Sequence, residues 1–176
     1  MTQRVELAAL LDRLAIDTLI TDYAIAVDDG EWDGYRQLFT ADGRADYRSA
    51  GGIEGPAADV SAWLAETMRL FPMRQHLIVN RKIHFDLRDQ DIGDTAHVRA
   101  DYVNPMRFTD EPGSTPAGPP DLTSGGRYEF TVLRTHGGWR LRQVVVREKW
   151  RSAPPAERTR DQNGSDLPLK ERTDPV

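Results

Sequence analysis

Asp28, His76, Tyr23 and Tyr47 are of types that together move a proton and steady the charge it leaves behind. A neutral imidazole titrates near physiological pH and takes a proton from carbon or oxygen. His76 lies in an alternating stretch and shares an even-numbered, half-apolar face with Ile78 and Asn80. A core or rim histidine satisfied by a backbone carbonyl has the same signature. Asp28 falls where the helical row Leu11, Leu14, Thr18, Thr21 and Ile25 places its next inward residue, and an inward carboxylate needs a partner. The alternative is an exposed residue that ends a helix ahead of Asp29 and Gly30. A carboxylate that reached His76 would fix its tautomer and stabilise its imidazolium, as a general base requires. Tyr23 and Tyr47 supply phenols that, in an apolar pocket, bind an enolate oxygen or assist a departing hydroxyl; aromatics at such spacing also serve as plain core. Tyr23 is about 140° around an ideal helix from Asp28, so a cavity shared by both must be wide or the helix distorted. On the strands, Asn80, Asp101, Asn104 and Tyr128 are the candidate substrate contacts, with Tyr102 a further residue able to face inward.

Other chemistries drop out. The 176 residues carry 23 Lys and Arg against 28 Asp and Glu, a formal charge of -5, and no basic block long enough to follow a phosphate backbone. Nucleic acid is excluded as the main partner. Without cysteine there are no disulfides, thiolate nucleophiles or Cys-ligated zinc. Phosphate-cradling glycine loops, the nucleophile elbow and the HExxH pair are missing. The histidines at 76, 84, 97 and 136 have no second histidine three or four residues away, so no metal site and no cofactor are expected. His84, His97 and His136 read as exposed. No segment approaches ~18 apolar residues, and Met1 leads into acidic, helix-like sequence rather than a signal core. These features predict a cytoplasmic chain with no membrane partner.

The elements that must position these residues change character part-way along. Apolar residues recur at helical spacing over 3–28, in the row Leu7, Leu11, Leu14, Thr18, Thr21, Ile25 and in a second row Ile16, Ile20, Tyr23, Val27, which predicts a helix buried on a broad face. A short helix is expected over 32–39, with Trp32, Tyr35, Leu38 and Phe39 inward, then a strand-like run over 44–48. Pro56 opens a third helix carrying Val60, Trp63, Leu64, Met68 and Phe71, limited by Pro72. From Met73 the period becomes two. Stretches 73–87 and 95–108 read as one long hairpin, and 125–134 and 139–150 as a second, turned at His136, Gly137 and Gly138. The loop 109–124 is long enough to act as a lid or partner contact. Residues 151–176 read as a polar, proline-containing tail that Leu167 and Leu169 could pin to a neighbouring subunit. The architecture predicted is α+β: three N-terminal helices packed on a curved, mostly antiparallel sheet of about four to six strands, enclosing a pocket.

The run 23–32, the run 38–43, Asp46-Tyr47-Arg48-Ser49, and Arg74-Gln75-His76 followed by Asn80 resemble the SnoaL-like branch of the nuclear transport factor two-like superfamily, in particular scytalone dehydratase and bile acid dehydratase. The resemblance covers roughly 7–150. It implies a cone-shaped, barrel-like α+β domain over 1–150 with a deep apolar pocket. It also implies an Asp28–His76 dyad for elimination across a carbon–carbon bond, with Tyr23 and Tyr47 matching pocket tyrosines. The chain departs from scytalone dehydratase at Val103-Asn104-Pro105-Met106, where that family carries a second histidine. Asp101 is the candidate replacement for an acidic residue of the bile acid enzyme.

The function expected is a cofactor-independent lyase, a dehydratase acting on a small hydroxylated carbonyl, phenolic or polycyclic compound. His76 takes a proton, Asp28 charge-balances it, and the tyrosines meet the oxyanion or the leaving hydroxyl. Isomerisation or polyketide-type cyclisation uses the same groups. A non-catalytic ligand-binding or assembly domain is the reading from a different class. The expected partner chains are further copies of itself, as a homodimer or homotrimer.

Overall fold

The computed structural model describes residues 3–88, 91–109 and 118–152. Residues 110–117 of the loop 109–124 and 153–176 of the tail, with Leu167 and Leu169, lie outside the described residues. Helix α1 (Gln3–Asp29) is followed by α2 (Trp32–Gln37), strand β1 (Phe39–Asp46), a short 3₁₀ turn (Arg48–Ala50), β2 (Glu54–Pro56) and α3 (Ala57–Thr67), and then by strands β3 (Met73–Arg74), β4 (Leu77–Arg88), β5 (Asp91–Arg107), β6 (Leu122–Thr135) and β7 (Gly138–Ser152). The seven strands form one sheet in the order β2-β1-β7-β6-β5-β3, with β4 also on β5. Only β1 and β7 run parallel. Register shifts in the β1–β7, β4–β5 and β6–β7 ladders bend the sheet, as an extra residue in one strand does. The helices cover its concave side.

The strand count exceeds expectation because the stretch 73–87 is interrupted. β3 and β4 lie end to end along β5, Arg74 opposite Met106 and Leu77 opposite Val103, with Gln75 and His76 in the break. The second helix stops at Gln37, and Phe39 begins β1 instead. Helix α3 ends at Thr67, and Met68 continues in a 3₁₀ turn to Leu70.

Helix α1 corrects the expectation of a broad buried face. Ile16, Ile20, Tyr23 and Val27 are buried against the sheet, whereas Leu7, Leu11, Leu14 and Ile25 of the other row are about half exposed or more. A cylinder lying on one layer buries one stripe, and among the described residues no second layer covers α1 on its far side. On β5 the alternation is strict: Ala96, Val98, Ala100, Tyr102, Asn104 and Met106 are buried, while the odd-numbered residues face out. β4 switches faces. Asn80 has a left-handed φ of 54° where the β4–β5 register shifts between Val79 and Lys82, so Ile78 before the bulge and Phe85 after it both point inward.

Candidate active site

The break between β3 and β4 explains how His76 meets Asp28. The His76 backbone N–H has left the ladder and donates to Asp28 Oδ2 at 2.7 Å, while ring Nδ1–H donates to Oδ1 of the same carboxylate at 2.6 Å. One carboxylate therefore holds both the main chain and the ring. The helix end that carries Asp28 is itself fastened. Gly30 adopts φ 72°, and Glu31 N–H donates to Ala26 O at 2.8 Å, the six-to-one bond of a left-handed helix terminus. Arg74 Nε donates to Val27 O at 2.9 Å and Nη1 to Phe71 O at 2.9 Å. A cation on the last carbonyls suits the helix dipole, although burial, the largest influence on Arg74, lowers its pKa.

On the other ring nitrogen, Asn104 Nδ2 donates to His76 Nε2 at 3.0 Å. The amide is oriented from behind, because its Oδ1 accepts Gln75 N–H at 3.3 Å. An amide nitrogen has hydrogens and no lone pair to offer, so Nε2 is the unprotonated nitrogen, its one lone pair accepting from Asn104, and Nδ1 carries the proton. His76 and Asp28 keep only 8 % and 17 % of their side-chain surface. Nε2 faces a cavity of about 290 Å³ walled by Trp63, Phe71, Met106 and Tyr128 among others.

Of the tyrosines, Tyr47 reaches the cavity wall and Tyr23 does not. Tyr23 is fully buried behind it, its hydroxyl bonded to that of Tyr47. Burial above all, then neighbouring phenols, raises both well above the ordinary phenol range, so each remains a donor at neutral pH. Tyr128 and Asn104 line the same cavity. Asp101 and Asn80 do not. Asp101 sits on the outer, odd-numbered face of β5, paired with Arg127 at 2.8 Å, and Asn80 at the bulge donates to it at 3.4 Å. A side-chain period of two forbids Asp101 from sharing a face with Tyr102 and Asn104. Sequence reasoning passed over Ser124, Glu148 and Arg151, which also line the cavity. A signal existed for Glu148, which continues the inward row Val144, Val146 on β7. His84, His97 and His136 are exposed. Among the described residues no three His, Asp or Glu side chains converge as metal ligands would.

A model of the SnoaL-like domain matches residues 8–145. The chain belongs to the SnoaL-like domain family. An uncharacterized protein of Mycobacterium tuberculosis is 34 % identical over 134 residues, 76 % of this chain and 83 % of its own length. Among solved structures, a protein of Kribbella flavida is 26 % identical at TM-score 0.68, covering 82 % of this chain and 95 % of that one. At the level of fold alone, hexachlorocyclohexane dehydrochlorinase of Novosphingobium barchaimii superposes at TM-score 0.68 with 16 % identity, over 84 % of this chain and 93 % of its own. A candidate scytalone dehydratase of Novosphingobium aromaticivorans does so at 0.66 with 22 % identity, over 84 % and 91 %. The SnoaL-like assignment accounts for the α+β cone and its mostly antiparallel, unclosed sheet.

Proposed function

We propose that this SnoaL-like protein is a cofactor-independent lyase that eliminates water from a small hydroxylated carbonyl or phenolic compound. The observation that carries the reading is the chain Asp28–His76–Asn104, which leaves His76 Nε2 unprotonated in a residue that lines an apolar cavity. As substrate binds, the Asn104 amide yields the Nε2 lone pair; Nε2 then takes the proton α to the carbonyl, and the C–H electron pair passes into the enolate. The Tyr47 phenol donates to the enolate oxygen while Tyr23 donates to Tyr47. Asp28 offsets the charge gained by the ring. As the carbon–oxygen bond breaks, the imidazolium returns its proton to the leaving hydroxyl, so water departs and a carbon–carbon double bond remains, without net oxidation or reduction. Family membership, and the presence of a dehydrochlorinase among proteins of this fold, support a small-molecule enzyme of elimination type.

The test is exchange of α-protons for deuterium in hydroxylated ketones, followed by proton NMR. Wild-type protein is expected to catalyse exchange. His76→Ala and Asp28→Asn are each expected to lower it by about 10² or more with circular dichroism unchanged. Exchange without loss of water would point to isomerisation or cyclisation through the same base. Exchange that survives His76→Ala would remove His76 from the mechanism.

A further inference from the structure

The cavity has a second polar group that the proton-transfer step does not use. Glu148 continues the inward row of β7 after Val144 and Val146, and keeps 15 % of its side-chain surface. A carboxylate in such a row is costly unless paired. Its partners converge on one oxygen: Ser124 Oγ at 2.7 Å, Arg151 Nη2 at 2.8 Å and Arg151 Nε at 3.2 Å all donate to Oε2. Arg151 and Glu148 itself are tied down. Arg151 Nη2 also donates to Ala50 O at 3.0 Å, and Glu148 N–H donates to Ser49 Oγ at 2.8 Å. Tyr102 OH lies 3.1 Å from Ser124 Oγ. Because the serine hydrogen goes to the carboxylate, Tyr102 must donate to the serine, and its own oxygen keeps lone pairs only. Glu148 Oε1 accepts nothing from the described residues. Here the cavity meets two acceptors, Glu148 Oε1 and the Tyr102 oxygen, beside the Arg151 guanidinium that neutralises the carboxylate.

We infer that Glu148, held by Ser124 and Arg151, is a specificity-determining residue that accepts a hydrogen bond from a hydroxyl on the substrate other than the one that leaves. The apolar walls of the cavity, with Trp63, Phe71 and Met106, fit a flat ring skeleton, and about 290 Å³ holds one or two fused rings. The inference deepens the lyase reading and rests on it for where the carbonyl sits.

The probes are 6-hydroxy-1-tetralone and 6-methoxy-1-tetralone, which differ by one donor hydrogen, with affinity read by titration calorimetry on the full chain. Wild type is expected to prefer the hydroxy compound about tenfold. Glu148→Gln must turn its carbonyl to Ser124 and Arg151 and its NH₂ to the cavity, so the preference is expected to vanish or invert while the methoxy affinity holds. A wild-type protein that binds both alike, binds neither, or keeps its preference in Glu148→Gln overturns the inference. If the variant does not fold, intermolecular NOEs in wild type decide: ring protons beside the hydroxyl near the Glu148 and Ser124 side-chain protons support it, and near the Val27 methyls overturn it. Deuterium exchange at tetralone C2 separates the two readings. Exchange without hydroxyl preference sinks the Glu148 site alone, and preference without exchange sinks the lyase alone.

Discussion

At the residue scale, the distinction between Tyr47 and Tyr23 is one of contact. Tyr47 touches the cavity and Tyr23 acts only through it, so Tyr47→Phe is expected to lower α-proton exchange about 10²-fold. Tyr23→Phe removes the hydroxyl bonded to Tyr47 and is expected to lower exchange by less, about tenfold, with ligand affinity nearly unchanged; equal losses would place both on the substrate. The phenols also set the alkaline limit of stability. Burial is the largest cause raising Tyr23, Tyr35, Tyr47, Tyr102 and Tyr128, which are all five tyrosines. A group whose pKa is higher in the folded state contributes stability fully present below the unfolded value, about pH 10, and lost as pH rises beyond it. Tyrosinate absorbance is therefore expected to appear together with unfolding and not before it; early titration of several phenols in folded protein would contradict this burial. Neither the pairing of Tyr23 with Tyr47 nor the outward turn of Asp101 is visible in residue types. The first needs two distant elements in contact, and the second needs the strand's inward parity, which Tyr102 and Asn104 imply once either is known to be buried.

Among the elements, α1 is fixed at both ends by polar contacts. Near its start, Asp12 accepts two bonds from Arg134, at 2.7 and 2.6 Å, and one from Trp139 Nε1 at 3.0 Å, tying the helix to the β6–β7 hairpin. Arg134 also stacks over the Trp139 ring at 4.5 Å. Asp12→Ala is expected to cost about 1–2 kcal/mol in denaturant melts. The Asp12 pKa is lowered, chiefly by the bond from Arg134, so its contribution is present above about pH 4 and fades as pH falls. Gly30→Ala places a Cβ in a left-handed conformation 3.3 Å from Arg74 Nη2. Its expected cost is about 1 kcal/mol, with a larger fractional loss of exchange than Asp12→Ala because it disturbs the helix end bearing Asp28. Gly126→Ala is more severe. Its Cβ would meet Arg147 O at 2.1 Å beside the register shift of β6 and β7, so a loss of about 2–4 kcal/mol is expected. Helical and strand periods located these elements, but a bulge adds one residue without changing residue type, so the face switch at Asn80 left no trace in the pattern.

For the whole molecule, the uncovered row of α1 is the main surface feature. Leu7, Leu10, Leu11 and Leu14 are each more than half exposed, and a contiguous exposed apolar row marks an interaction surface. A homodimer or homotrimer is the assembly we propose. Light scattering is expected to return two or three chain masses, and Leu10→Glu with Leu14→Glu to reduce it; a wild-type monomer at micromolar concentration would remove the proposal. No helix among the described residues is long and apolar enough to cross a membrane.

Residue order alone determined the succession of helices then strands, because apolar period is a local property: 3.6 where one side of a helix is buried, two where one face of a sheet is. It also supplied the chemical types at 28, 47, 76 and 104. Which apolar row of α1 faces the sheet, which phenol reaches the cavity, and that Ser124 and Arg151 converge on Glu148 beside it were decided only by tertiary structure. Each depends on where a second element lies, and burial is a relation between elements that spacing within one of them does not contain.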